Sequence, residues 1–419
     1  MLRRTPIPSL EYAKQIASSI SNPSLEAYKK NGGKVVGYFS PDIPVEILEA
    51  AGLLAYDMRG TGALGTEYAD AYFRQLTCEF TRTTFNQIMA KEYAFLDGAV
   101  VYNCCDHLRR IFDNWKTLEH CPAYHFVYLP KKCDAVTYPI FQEEIDRLIA
   151  ATEAHFGVKI TDESLRKAID EANTTRALLR ELYALRAEPE VRIDGSEVVS
   201  VLTAGGSIPR AEYNALLREL IDALKQSEDV VRPRRRLMFL SGHADKPELI
   251  EALESQGGIV VMDQAAMGIK FAAVDVDAGG DALEAIKQHY FSKRPHQLMV
   301  CERGASFGYI KQHYFSKRPH QPRIFGSQDE RMGDVLKAIE AYKVDGVISA
   351  RLTMCDVWAF EQYMLNDLFD EKDIPHLALE VNYILDGLGQ IRTRVQALPL
   401  IGAVAPKLTS DPHACAGLC

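Results

Sequence analysis

The sequence predicts an α/β chain: two Rossmann-like domains with parallel sheets, plus a helical region. Three observations carry this. Short apolar runs alternate with helical patterns, the mark of strand–helix–strand units. One structural sentence, Asp-Gly, apolar run, Cys-Asp, amphipathic stretch, is written twice, at Asp97–Trp115 and Asp345–Glu361. Between these two copies, long stretches carry the Leu stripes and Arg- and Glu-rich faces of amphipathic helices.

The elements follow in order. Residues 1–33 form an N-terminal helical segment, with Leu10, Tyr12, Ala13, Ile16 and Ile20 on one face of a helix over 9–31. The first Rossmann-like domain spans 34–154. Its strands are Lys34–Phe39, Leu53–Met58, Ala99–Tyr102 and His125–Leu129. The helix Pro44–Ala51 ends at Gly52, a C-cap glycine. Asp106 is placed to cap the helix carrying Leu108, Ile111, Phe112 and Trp115. Pro139–His155 and Asp162–Arg186 are long amphipathic helices, and Glu197–Val201 and Arg210–Lys225 continue the helical pattern through the region 155–231. The second Rossmann-like domain spans 232–398, with strands Arg236–Ser241, Gly258–Met262, Val344–Ile348 and Leu377–Val381. Residues 399–419 form a tail.

Composition narrows the class. With 419 residues the chain has room for two or three domains, and 47% hydrophobic with 25% charged residues is ordinary for a soluble globular protein. A net charge of −9 argues against binding nucleic acid through phosphate contacts. No apolar run reaches membrane-spanning length, and the first residues lack a signal-peptide core, so a cytoplasmic protein is expected. Nine cysteines then read as thiols rather than disulfides. Cys121, Cys133 and Cys301 suit ordinary buried thiols, and Cys415 and Cys419 fall in the tail.

The remaining cysteines carry the chemistry. Cys78 precedes a helical run. Cys104–Cys105 and Cys355 follow apolar strands and open helices, where open α/β sheets place their reactive groups. A helix N-terminus favours thiolate, the form that binds iron or zinc. No pair has the C-x2-C spacing of a zinc ribbon or ferredoxin, so the fold must assemble any site.

Gly60-Thr-Gly62-Ala-Leu-Gly65 fits G-x-G-x-x-G and would serve a nicotinamide or flavin oxidoreductase. It follows the second strand of its unit rather than the first, and a glycine turn is the better reading. Arg232–Arg236 reads as a solvated linker. Gln390–Arg394 opens the last helix, where Arg392 and Arg394 could hold an anion. IKQHYFSKRPHQ occurs at Ile286–Gln297 and again at Ile310–Gln321. So exact a copy reads as a tandem duplication, and copying rather than metal binding accounts for His289, His296, His313 and His320.

From about Lys34 to Leu398 the chain resembles the 2-hydroxyacyl-CoA dehydratase and benzoyl-CoA reductase family, as a cluster-bearing catalytic subunit. The resemblance rests on VVGYFSPDIPVEILEAAG, the Cys78 segment, FLDGAVVYNCCDHLRRIFDNW, and VDGVISARLTMCDVW running on to GLGQIRTRVQAL. It implies that Cys78, Cys105 and Cys355 hold a [4Fe-4S] cluster by three of its irons, Cys105 being preferred to Cys104 because it directly precedes Asp. Asp106 and Asp356 are then helix caps. A separate ATP-hydrolysing iron–sulfur activator would supply a low-potential electron. The cluster would pass it to an acyl-CoA thioester, which loses a 2-hydroxyl through a ketyl radical, or whose aromatic ring is reduced. Glu46 would be the acid/base group and Ser40 a hydrogen-bond donor, although Glu46 also suits an ordinary first-turn helix carboxylate. A paralogous second subunit or a second copy is the expected partner, and the chain could instead be the non-catalytic member of such a pair. The family pattern is continuous when Leu298–Gln321 is removed, so that insert is expected to be a surface loop. Ala266-Met267-Gly268-Ile269-Lys270 stands where relatives have Cys-x-Gly-[ST]-Arg.

Overall fold

The computed structural model describes residues 5–396, apart from 40–41, 120, 131–132, 231–234, 244, 264–268, 278 and 298–327. Ser40, Ala266–Gly268, the insert and the tail lie outside the described residues.

Two four-stranded sheets organise the chain. The first comprises β1 (Lys34–Tyr38), β2 (Leu53–Asp57), β3 (Gly98–Tyr102) and β4 (Ala123–Val127), in the order β2-β1-β3-β4. The second comprises β5 (Arg235–Ser241), β6 (Gly258–Asp263), β7 (Gly346–Leu352) and β8 (His376–Val381), in the order β6-β5-β7-β8. All pairings are parallel. The fold is therefore the expected α/β with two Rossmann-like halves. β3 and β6 are buried along their whole length, which is why they read as unbroken apolar runs rather than alternating ones.

Each sheet starts at a central strand, moves to one edge, then crosses to the other side. The strand order reverses between β1 and β3, and again between β5 and β7. The carboxyl ends of those strands form the crevice where open sheets gather ligands.

The helices differ from expectation in instructive places. The N-terminal pattern is two helices, α1 (Pro8–Ala17) and α2 (Pro23–Lys30), not one over 9–31. Pro23 cannot continue a helix from upstream but suits a first turn, and Asn22 caps it by accepting from Leu25 N–H. The α3 helix (Val45–Ala50) stops before Gly52, whose φ of +76° is the left-handed conformation glycine adopts without strain. The α4 (Glu79–Met89) and α5 (Asp106–Trp115) helices follow.

The middle of the chain is helical: α6 (Tyr138–Phe156), α7 (Asp162–Ala187), α8 (Gly195–Gly205) and α9 (Arg210–Gln226). Leu10, Ala13 and Ile16 of α1 bury in one cluster with residues of α7, α8 and α9. With 26 residues, about 39 Å long, α7 is the spine. Its Arg176 reaches Glu46 of α3, while its Tyr183 and Arg186 hold Asp263 at the end of β6. The second half adds α10 (Pro247–Glu254), α11 (Ile269–Ala272), α12 (Ala282–Gln297), α13 (Gln328–Ala341), α14 (Asp356–Glu371) and α15 (Leu388–Gln396). No described helix is long and apolar enough to cross a membrane.

Candidate functional site

Three helices begin at a cysteine. Cys78 is the N-cap of α4, Cys105 of α5 and Cys355 of α14. Asp106 and Asp356 are the first helical residues, not the caps expected of them. A thiol is a poor cap beside Ser, Thr, Asp or Asn, so helix stability does not explain the choice. Cys105 Sγ accepts from Leu108 N–H at 3.4 Å. Cys78 Sγ lies 3.2 Å from Thr81 Oγ1, and Cys78 N–H donates to His107 Nδ1 at 3.3 Å, tying the first turns of α4 and α5 together.

Electrostatically the three thiols share one neighbourhood. Burial pushes the Cys78 thiol up to about 12, and the charge of Cys105 adds to the rise. The Cys355 thiol is also raised, first by burial, then by Cys78, with Cys105 contributing. Burial thus opposes thiolate at Cys78 and Cys355, while their helix N-termini favour it. Cys78 is buried and Cys105 and Cys355 are half-buried; thiolates in one another's field ionise together more readily with a cationic group among them. Cys104 is turned elsewhere: it is 2% exposed and interacts with the Tyr102 hydroxyl in the core of the first half.

Among the described residues no three of His, Cys, Asp and Glu are arranged to hold a single metal ion. Thiolates sharing one zinc lie within about 4.6 Å of each other, twice a Zn–S bond.

Glu46 is fully buried on α3. Arg176 Nη2 donates to Oε1, and Tyr290 Oη donates to Oε2 at 2.7 Å. Burial alone would raise this carboxyl, but the Arg176 guanidinium beside it holds it at about 2. It is thus a carboxylate with both oxygens engaged. A proton-handling role requires the Arg176 pair to open first. Tyr290 belongs to the first copy of the duplicated sequence, whose Ile286 and Tyr290 are buried.

The glycine loop does not form a dinucleotide site. It follows β2, an edge strand, and the next α-helix starts only at Glu79, so the strand–turn–helix geometry that aims amides at a pyrophosphate is missing. Gly60 instead meets the second half. A Cβ there would lie 2.5 Å from the Tyr383 ring and 2.7 Å from Thr83 Oγ1. At the far end of the chain, Arg394 Nη2 donates to Ala378 O at 2.9 Å, which engages one of the two arginines offered for an anion.

Sequence reasoning missed the contacts that join the halves. Tyr383 Oη accepts from Gly60 N–H at 2.9 Å and donates to Asp245 Oδ2. Lys246 Nζ donates to Gly60 O at 3.1 Å and sits 4.2 Å from the Tyr383 ring centroid. The His243 ring stacks on Phe80, centroids 4.0 Å apart. The one available signal was position: Asp245 and Lys246 follow β5, and Tyr383 follows β8.

Residues 42–398 match the family model described as 2-hydroxyglutaryl-CoA dehydratase, D-component. The chain belongs to this family. It is 24% identical over 352 residues to a benzoyl-CoA reductase subunit of Thauera aromatica, covering 83% of this chain and 85% of that one. It is 23% identical to the (R)-phenyllactyl-CoA dehydratase beta subunit of Clostridium sporogenes, covering 90% and 95%. It is 21% identical to the beta subunit of (R)-2-hydroxyglutaryl-CoA dehydratase of Acidaminococcus fermentans, covering 91% and 96%.

Proposed function

We propose that this chain is the iron–sulfur subunit of an ATP-activator-dependent enzyme acting on a CoA thioester, either dehydrating a 2-hydroxyacyl-CoA or reducing an aromatic acyl-CoA. One observation carries the reading: Cys78, Cys105 and Cys355, far apart in sequence, each start a helix and lie in one another's field.

The donor set fits a [4Fe-4S] cluster better than a single ion. Three soft thiols suit iron or zinc. A cluster would give each thiolate its own iron, so the sulfurs need not crowd around one metal, and its irons would supply the positive charge that neighbouring thiolates need. Cys78, Cys105 and Cys355 are the ligands in this reading. When bound, the cluster supplies a low-potential electron received from a separate activator. Three thiolates would leave one iron of such a cluster without a protein ligand.

The protein's part is to hold and to seal. The first turns of α4, α5 and α14 carry the three thiols. Phe80, two residues after Cys78, packs against His243 and Tyr383 of the second half and covers that turn with aromatic rings. Glu46 lies in α3, the helix that follows β1, and Ser40 is two residues after the end of β1 in the sequence. Ser40 serves as a hydrogen-bond donor to the thioester, and Glu46 takes or gives the proton of the leaving hydroxyl once its pairing with Arg176 opens. The relatives named above are all called subunits, so the active unit is taken to be a pair with a paralogous chain or a second copy, in the cytoplasm.

Replacing Cys355 by Ser tests the assignment. An imperfectly paired hydroxyl costs about 1–3 kcal/mol, too little to unfold most domains. The variant, purified without oxygen, should keep its helical circular dichroism, lose iron and brown colour, and fail to turn over acyl-CoA esters with activator, ATP and the paralogous subunit. Turnover at the wild-type rate would sink both the ligand assignment and the reaction class. Wild-type activity that appears only with the paralogue, and survives Cys355→Ser, would make this chain the supporting subunit.

A further inference from the structure

Two of the three thiols hang from the first sheet and its helices, and the third from the second sheet. Something must set the distance between them, and a short chain of contacts does so. Cys355 follows β7, whose next residue Thr353 donates its N–H to Val381 O at 2.9 Å, the last residue of β8. Two residues on, the Tyr383 ring packs edge-on to Phe80, centroids 5.3 Å apart. Ile384 N–H then donates to Glu79 Oε2 at 3.0 Å. Glu79 and Phe80 are the two residues after Cys78.

A second clasp reinforces the first. Tyr383 Oη, fixed by Asp245 in the segment after β5, accepts from Gly60 N–H, and Lys246 donates to Gly60 O. Gly60 lies against Thr83 of α4. Tyr383 is thus gripped by the second half and grips both the loop and the helix that position Cys78. Any side chain at Gly60 would push this contact apart.

We propose that Tyr383, oriented by Asp245, is a positioning residue that sets the separation of Cys355 from Cys78 and thereby the retention of the group they bind. The inference rests on the reading of the three thiols as cluster ligands. Tyr383 touches no reacting atom in this scheme. Removing its hydroxyl frees Gly60 and lets the two halves shift by a fraction of an ångström, enough to strain a ligand set that spans them.

The test compares four anaerobically purified proteins: wild type, Tyr383→Phe, Asp245→Asn and Tyr183→Phe. The last removes a buried hydroxyl that bonds Asp263 and makes none of the contacts between Tyr383, Gly60 and α4, and controls for general loss of stability. Iron and sulfide content, the rate of bleaching by a ferrous chelator, the electron paramagnetic resonance spectrum of the reduced protein and the urea midpoint are measured on each. Tyr383→Phe should bleach about tenfold faster, as expected for a lost interaction of about 1.4 kcal/mol, with an altered spectrum. Asp245→Asn keeps an acceptor for the Tyr383 hydroxyl and should stay within about twofold of wild type. Tyr183→Phe should lower the urea midpoint yet bleach like wild type. Iron-bearing wild type with an indifferent Tyr383→Phe overturns this inference alone. Equal acceleration in Tyr383→Phe and Tyr183→Phe also overturns it, because retention would then follow global stability. Wild type without iron overturns the cluster reading and this inference together.

Discussion

Buried charge decides what individual residues can do here. Glu46 and Arg176 are 130 positions apart and meet with almost no exposed surface. Arg176 Nε has no hydrogen-bond partner among the described residues, so the ion pair is already imperfectly satisfied. Such a pair adds little over an apolar substitute, but breaking one side is costly, because the survivor is left charged in a dry place. Glu46→Gln should therefore destabilise the protein by about 3 kcal/mol at neutral pH, read from urea unfolding. The pH dependence has a definite sign. A carboxyl lowered to about 2 in the native state contributes stability that is present above its ordinary 4.5 and is lost as pH falls through about 2. The gap between wild type and variant should accordingly shrink on acidification below pH 4.5. A gap that is flat with pH would mean that Glu46 is not held as a carboxylate by Arg176. The sequence placed Glu46 in the first turn of a helix, which is where it sits. It could not show Arg176, since a contact between α3 and α7 is set by how the halves close.

At the scale of elements, helix starts bear the unusual chemistry. The α8 helix opens under two carboxylates. Asp194 caps it by accepting from Glu197 N–H at 2.9 Å, and Glu254 of α10 accepts from Gly195 N–H at 2.7 Å and from Val260 N–H of β6 at 2.9 Å. Glu254 thereby joins α8, α10 and β6. Burial, then the charge of Asp194, pushes its carboxyl up to about 8. A raised acid keeps its proton in the native state while the unfolded chain has released it. Its contribution to stability is complete below 4.5 and declines as pH rises toward 8. Glu254→Gln should flatten the stability–pH curve between about pH 5 and pH 8, measured as the urea midpoint; an unchanged slope would assign that dependence to other groups. The strands and the cysteine-headed helices were legible because each is local: a short apolar run, a thiol, a 3.6-residue period. Which residue caps was not legible. Asp106 looked the better cap by side-chain chemistry, yet Cys105 holds the position, since the backbone turns one residue earlier where β3 ends. The break at Pro23 was legible in principle, and the apolar stripe through Ile16 and Ile20 concealed it.

The whole molecule is one topology used twice, with α7 as the beam between the halves and the thiols at the crevice. The duplicated sequence tests how tightly that plan constrains the chain. Ile286 and Tyr290 of the first copy are core residues, and Tyr290 closes the Glu46 pair from the second half. Ile310 and Tyr314 stand at the same places in the second copy, 24 residues on. Because the twelve residues are identical, removing Leu298–Gln321 or Ile286–Tyr309 leaves the same chain: one copy, followed directly by Pro322. The slot beside Glu46 is filled in either case. Shortening a loop changes closure entropy only logarithmically, by less than about 1 kcal/mol per halving of its length. The deletion should therefore give soluble protein with an unfolding midpoint and iron content equal to those of the full chain. If it came out insoluble, the extra segment would have to be packed into the core. If it folded normally but lost iron, the segment would instead be needed to hold the halves at the spacing the thiols require.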